Sequence, residues 1–229
     1  MTTTTDTALL THYDDEDIFD VVIQLEKSFG LSFAKDAFTH VKTFGDLCAV
    51  FEEHIGYPHR DDCTSQQAFY QMRRAIGAAQ QIDEKQITPD SLLAELFPKR
   101  DRRQKIKSFQ VQLGIKVNLL TYPDGLALLL AAGLVLSLVA FFFDWKIALS
   151  GLAFFIAAFK IAGKLGKKLQ FKTIRELTQQ LAQEHYAAIR RHKGTVNKKE
   201  IRQTIVSTFS RHLDIKPEQL THDATFSWA

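Results

Sequence analysis

Cysteine is scarce in this chain, with Cys48 and Cys63 the only two among 229 residues. That number suits a reducing cytoplasm and requires no disulfide. Neither sits in a Cys-x-x-Cys pair, and no His-x-x-x-His occurs among the eight histidines, so metal-ligand spacing is missing. No secretory signal is expected either. Met1–Thr7 is Thr-rich, carries only Asp6 as a charge and has no apolar core. Strand-like alternation is not sustained anywhere, and no catalytic motif names a reaction. The net charge of +3 is too small to argue for nucleic acid.

What is present is a long uncharged run. Leu126 to Phe143 is eighteen residues without a charge. After Asp144-Trp145-Lys146, a second apolar run from Ile147 to Ala162 has only Lys160 inside it. Eighteen helical residues span ~27 Å, close to the ~30 Å hydrocarbon thickness of a bilayer. The pattern predicts a two-helix transmembrane hairpin over 124–163, and the mean hydropathy of −0.12 looks soluble only because polar flanks dilute it. Both flanks are basic, with Lys99, Arg100, Arg102, Arg103, Lys105 and Lys107 before the hairpin and Lys164, Lys167, Lys168, Lys172 and Arg175 after it. The positive-inside bias then predicts a two-pass protein with both termini cytoplasmic and the 144–146 turn across the bilayer, and the expected bilayer is a bacterial inner membrane.

The flanks read as helices. Ile18, Val21, Val22, Leu25 and Phe29 form one stripe over 17–29, closed by Gly30. Thr43-Phe-Gly-Asp46 has capping-box spacing ahead of Phe44, Leu47, Phe51 and Ile55. Thr64 opens a third helix with Phe69, Met72, Ile76 and Ala79 on one face, followed by a loop over 82–98. A basic helix over 100–113 ends at Gly114, and Tyr122-Pro123-Asp124-Gly125 is turn chemistry before the hairpin. Thr173-Ile-Arg-Glu176 is another capping box, with Ile174, Leu177 and Leu181 as its buried face. Ile201, Ile205, Phe209 and Leu213 mark a last helix over 198–213. The fold class is all-α.

Comparing the chain with itself shows short internal matches. Lys42-Thr-Phe-Gly-Asp-Leu47 matches Lys172-Thr-Ile-Arg-Glu-Leu177, and Leu25 with Phe29-Gly30-Leu31 matches Phe109 with Leu113-Gly114-Ile115. Gln81–Asp90 matches Asp214–Asp223. The matched pieces resemble the acyl carrier protein family. Phe69–Phe97, with its Gln-Ile-Thr-Pro-Asp-Ser-Leu-Leu-Ala-Glu-Leu-Phe ending, is similar to that family's first helix and long loop. Val21–Phe29 is similar to its second helix and Thr43–Ile55 to its last. The resemblance covers most of the polar sequence at the level of pattern, with low identity, and implies two small four-helix units. A carrier holds its phosphopantetheine on a serine at the start of the second helix. Counted back from Phe29, that place is taken by Asp15 in the first unit and by Lys99 in the second, and neither has a hydroxyl to form the phosphodiester. The resemblance therefore implies degenerate units without the cofactor.

The expected organisation is a disordered start over 1–12 and a first carrier-like unit over 13–57. A second unit spans 63–122 and 164–192 around the hairpin, and a C-terminal helix and loop over 198–229 remains. The first unit lacks a first helix, so the surplus C-terminal helix is expected beside Val22, Leu25 and Phe29, closing the unit circularly. The same packing between two copies would be a domain swap.

Residues that invite a functional reading each have a plainer one. The Asp14–Asp17 acids could hold a cation or a basic partner, but acids in a first helical turn are favoured by the macrodipole at ~0.3–1 kcal/mol each. The basic stretch 100–107 lies near a membrane entrance, where each Lys or Arg gains ~1 kcal/mol from anionic lipid. It has no interleaved aromatic platform, so no nucleic acid partner is expected. Cys63 beside Thr64 and Ser65 has no legible His partner, and capping by Thr64 is the simpler reading; Cys48 reads as a small buried residue. His212, and His222 with Asp223, read as surface groups, and Lys160 as snorkelling to head groups. Gly133 with Ser137, and Ala153 with Ala157, have the spacing of close helix contact, either within the hairpin or between two copies. No catalytic, cofactor-binding or metal residue is assigned.

The leading expectation is a membrane-anchored, cytoplasm-facing, non-enzymatic interaction protein. Its partners would be the lipid bilayer and another protein, with homo-oligomerisation through the hairpin open. The alternative is a membrane component of a lipid or acyl-chain pathway that docks a true carrier or its enzymes. A channel is poorly supported, because two helices with one lysine supply no polar pathway unless many copies assemble.

Overall fold

The computed structural model of the chain describes residues 9–34, 36–122 and 124–228. The Thr-rich start, Pro123 and the side chain of Lys164 lie outside the described residues. Among the described residues run helices α1 (Asp15–Phe29), α2 (Phe44–His54), α3 (Thr64–Gln80), α4 (Leu93–Leu96) and α5 (Arg102–Leu113). They continue with α6 (Asp124–Val139), α7 (Trp145–Leu165), α8 (Ile174–Glu184), α9 (Tyr186–Ile189) and α10 (Lys198–Leu213). The sheet among them is one antiparallel pair, β1 (Leu120–Thr121) with β2 (Lys168–Leu169), so the class is all-α.

The chain forms two compact units, one of Met1–Gln71 with Leu177–Ala229 and one of Met72–Glu176. Compactness thus divides α3 and α8 between the units, where the sequence boundaries put both in the second. Long-range bonds from Thr64 to Glu200 and from Gln71 to the Ile189 carbonyl draw the start of α3 into the first unit.

The first unit is built on α1, α2 and α10. Ile18, Val21, Val22, Leu25 and Phe29 point into its core, and α1 begins at Asp15, two residues ahead of the start at Asp17 that the sequence pattern marks. Gly30 ends the helix at φ 67°, with the Leu31 N–H donating to the Glu26 carbonyl at 2.8 Å. At α2, Thr43 Oγ1 accepts from Asp46 N at 3.1 Å while the Asp46 carboxylate accepts from Thr43 N at 2.9 Å. Helix α10 packs against α1 and α2, and Ile201, Ile205, Phe209 and Leu213 are buried in the same core. Phe209 meets Phe44 edge-on at 5.2 Å between ring centroids. The start of the chain departs from the sequence expectation. Leu9–His12 is a 3-10 turn and Leu10 is completely buried, so order begins before residue 12. Four residues are too few to show a helical period, which is why this anchor left no pattern.

A backbone ladder recurs. In the first unit, Phe44 N donates to Ala224 O (2.8 Å), Gly45 N to His222 O (2.9 Å) and Phe226 N to Lys42 O (3.1 Å), around a Thr43–Thr225 bridge. In the second unit, Ile174 N donates to Ser91 O (3.1 Å), Arg175 N to Pro89 O (2.7 Å) and Leu93 N to Lys172 O (2.9 Å), around a Leu92–Thr173 bridge. Glu176 N also donates to Thr173 Oγ1 at 3.3 Å and Lys172 N to the Glu176 carboxylate at 2.8 Å, repeating Thr43 and Asp46. Upstream of each ladder, Gln81 (φ 57°) and Asp214 (φ 53°) end α3 and α10 in the left-handed region, and each is followed by a 3-10 turn.

Candidate functional site

Helices α6 and α7 form an antiparallel pair, and both are long and apolar enough to cross a membrane. Their mutual face is narrow. On α6 it carries Leu130, Gly133 and Ser137, all buried, and on α7 Ala148 is fully buried. A Cβ on Gly133 would overlap the Phe155 ring, and one on Gly151 would lie 2.5 Å from Ser137 Oγ. Each helix therefore offers a glycine where the other presents a side chain. Ser137 satisfies its hydroxyl by donating to the Gly133 carbonyl at 2.9 Å. Ala153 and Ala157 lie elsewhere, on the exposed side of α7, so the residues that meet Gly133 and Ser137 are Phe155 and Gly151 instead. The spacing on α6 thus marks the contact face, while on α7 the contact is made by a glycine and a ring. Lys160 is exposed on α7.

The outer face of the pair is apolar. Leu128 and Leu136 on α6 are 76 and 68% exposed, and Phe142 and Phe143 in the turn that joins the helices are 89 and 86% exposed. At the turn, Asp144 caps α7 by accepting from Lys146 N at 2.8 Å, and exposed Trp145 stands beside it.

The other end of the pair is tied by basic residues. β1 and β2 pair Leu120 with Leu169 and Thr121 with Lys168, bringing the entry and exit segments together. Gly166 is essential to that approach, because a Cβ there would lie 2.5 Å from the Thr121 carbonyl oxygen and 3.0 Å from Tyr122 N. Arg102 is buried and donates to the Phe97 carbonyl at 2.6 Å and to the Lys167 carbonyl. Arg103 donates through Nη2 to the Gly166 carbonyl at 3.0 Å. Helix α5 starts at Arg102, two residues later than the sequence reading. A sequence view of these arginines as surface charge missed that two of them hold backbone.

A second polar cluster lies in the first unit. Glu200 accepts from Thr64 N (3.0 Å), Thr64 Oγ1 (2.5 Å) and the Tyr186 hydroxyl (3.3 Å). The start of α3 is thus capped by a carboxylate from α10, where the sequence pointed to Thr64 itself. Arg190 is completely buried, and donates to the Asp62 and Arg60 carbonyls and to the hydroxyls of Thr64 and Thr195. Burial raises the Tyr186 phenol above its ordinary range, which keeps it a neutral donor toward Glu200. A cavity of about 250 Å³ opens here, lined by Thr64, Ser65, Gln179, Gln183, Tyr186 and Glu200 among others. Neither His nor Cys is among its lining residues, so its hydroxyls have no imidazole base there.

The remaining sequence candidates are dispersed. Asp15, Glu16 and Asp17 occupy the first turn of α1, where Asp15 accepts from Ser227 Oγ at 2.6 Å. Lys99 is exposed ahead of α5. Cys48 is buried in α2, where burial pushes its thiol up to about 12, far from a reactive thiolate. Cys63 is exposed, and the leading amide of the helix it precedes is taken by Glu200. His212 lies near the end of α10, with its pKa lowered by burial and then by Arg211. His222 is exposed, 3.2 Å from Asp223. Among the described residues no group of three or more His, Cys, Asp or Glu side chains is placed to hold a metal.

Compared with protein-family models, curated proteins and solved structures, the chain matches none of them.

Proposed function

We propose that this protein is a two-pass membrane anchor that presents small helical units on the cytoplasmic face as a non-enzymatic interaction platform. The observation that carries the reading is the exposed apolar face of α6 and α7. Burying each such Leu or Phe is worth ~1.5–3 kcal/mol, so four of them in water forgo on the order of 10 kcal/mol, comparable to the whole stability of a domain. Lipid removes that cost. Basic groups at the open end and almost none in the turn favour cytoplasmic termini. The recurring ladder supports two related units of acyl-carrier-like pattern, with Asp15 and Lys99 standing where the cofactor serine would be. Such units offer helix faces to a protein partner without carrying an acyl chain.

Carbonate extraction and reporter fusions test this reading. The full chain is expected to stay in the membrane pellet, with cytoplasmic signals at residues 120 and 170 and the opposite signal at 145. Release into the supernatant defeats the anchor, and three identical signals defeat the hairpin.

A further inference from the structure

A cavity of about 310 Å³ opens in the second unit between α5 and the segment leading into β1. Its walls combine two chemistries. Arg103 and Lys107 bring positive charge, and Ile106, Val117, Leu119 and Leu120 bring apolar surface. Three of these apolar residues, Ile106, Val117 and Leu119, are buried, so the floor is preformed. Arg103 uses Nη2 on the Gly166 carbonyl, while its Nε is buried with no acceptor among the described residues. Lys107 is exposed one helical turn further along α5.

The stretch of chain that builds the cavity is one-sided in charge. Residues 99–121 hold seven Lys or Arg and one acid, Asp101, which stands 3.7 Å from Lys105. The cavity is also close along the chain to the apolar pair, since Leu120 lies four residues before the first residue of α6. An extended segment of that length covers only ~13 Å.

We propose that this cavity binds the phosphate-bearing head group of an anionic glycerophospholipid, with Arg103 and Lys107 facing the phosphate and the acyl chains lying along α6. The inference rests on the membrane-anchor reading and adds a defined lipid site to it. A free phosphate or a nucleic acid would use the two cations but would leave the apolar wall without a purpose. A lipid uses both, because its charge and its hydrocarbon are joined at the spacing the cavity and the hairpin provide. Arg suits the phosphate through its planar fork and Lys through its compact charge.

The test uses the full chain in nanodiscs, first checked for insertion by carbonate resistance of the same protein in liposomes. Native mass spectrometry then counts retained phosphatidylglycerol against phosphatidylcholine for the wild type, for Arg103→Gln/Lys107→Gln, for Lys107→Glu alone and for a first-unit control, Lys27→Gln/Lys198→Gln. The wild type is expected to retain phosphatidylglycerol preferentially, the double variant to lose about thirtyfold in preference, and the control to keep it. Lys107→Glu, on an exposed side chain, should lose the preference with helix content unchanged. Equal retention of both lipids by an inserted wild type overturns the site while leaving the anchor standing. Full competition by millimolar glycerol phosphate shows a soluble phosphate ligand and overturns the lipid assignment. Failure to insert overturns both readings together.

Discussion

Replacing Phe209 by Ala asks how strongly the last helix holds the first unit together. The side chain is completely buried and meets Phe44 edge-on at 5.2 Å. Phe→Ala in a packed core costs ~3–5 kcal/mol, made up of lost transfer energy and the cavity left behind. In a chain of two compact units, a single melting temperature would blur the effect. Hydrogen exchange read peptide by peptide does not. Amides of α10, α1 and α2 should exchange faster by about two to three and a half powers of ten, while peptides from α6 and α7 keep their wild-type rates. A cycle with Phe44→Ala should return a coupling of ~0.5–1.5 kcal/mol for the ring pair. If α10 loosens alone and α1 and α2 are unmoved, the shared core is not what stabilises those helices and the reasoning fails.

Other outcomes follow from single residues. Gly166→Ala should disturb the β1–β2 pairing, at ~1–3 kcal/mol for overpacking, whereas Gly56→Ala, where an added Cβ meets nothing within 4 Å, should be silent; exchange at Leu120 and Leu169 distinguishes them. Hydrogen bonds from the Thr43 and Lys42 amides lower the Asp46 pKa below its ordinary 3.8. Its folded value lies under its unfolded one, so its contribution to α2 is complete above about pH 4 and fades as pH falls through the folded value. Asp46→Asn should remove that acid-dependent fraying of α2 as followed by exchange between pH 2 and pH 5, and an unchanged profile would reject the assignment. Incubation with coenzyme A and a broad-specificity phosphopantetheinyl transferase should leave the intact mass unaltered, since Asp15 and Lys99 offer no hydroxyl. Addition of one arm to any serine would show that those positions are out of register.

Much of the fold was legible because it is local. Gly30 and Gly114 both end their helices at positive φ, Thr43 and Asp46 make their box, and the four-residue spacing from Ile201 to Leu213 marks the buried face of α10. Local signals also marked the hairpin, where eighteen uncharged residues need no tertiary context. What stayed hidden depends on distant partners. Glu200 caps Thr64 across 136 residues, and nothing in Lys-Lys-Glu-Ile announces it. Arg190 sits in Ile-Arg-Arg-His-Lys, a string that reads as a solvated charge run, yet its guanidinium is enclosed by backbone carbonyls from Arg60 and Asp62. The inner face of the hairpin was half legible. Gly133 and Ser137 stood out, but the partner of a glycine turned out to be a phenylalanine ring, which small-residue spacing does not encode.

The ladder that stitches residues 222–226 to residues 42–45 also sets an order of events during synthesis. Helices α1 and α2 leave the ribosome ahead of the surface that covers them, which arrives only with α10 and residues 222–226. At ~5–20 residues per second, about 10–35 s separate Ile55 from Phe226, and the hairpin emerges within that interval. A nascent chain must therefore carry an unfinished amphipathic pair until Phe226 has emerged. Residues 222–226, made long after α2, thus complete the backbone ladder on which that helix closes.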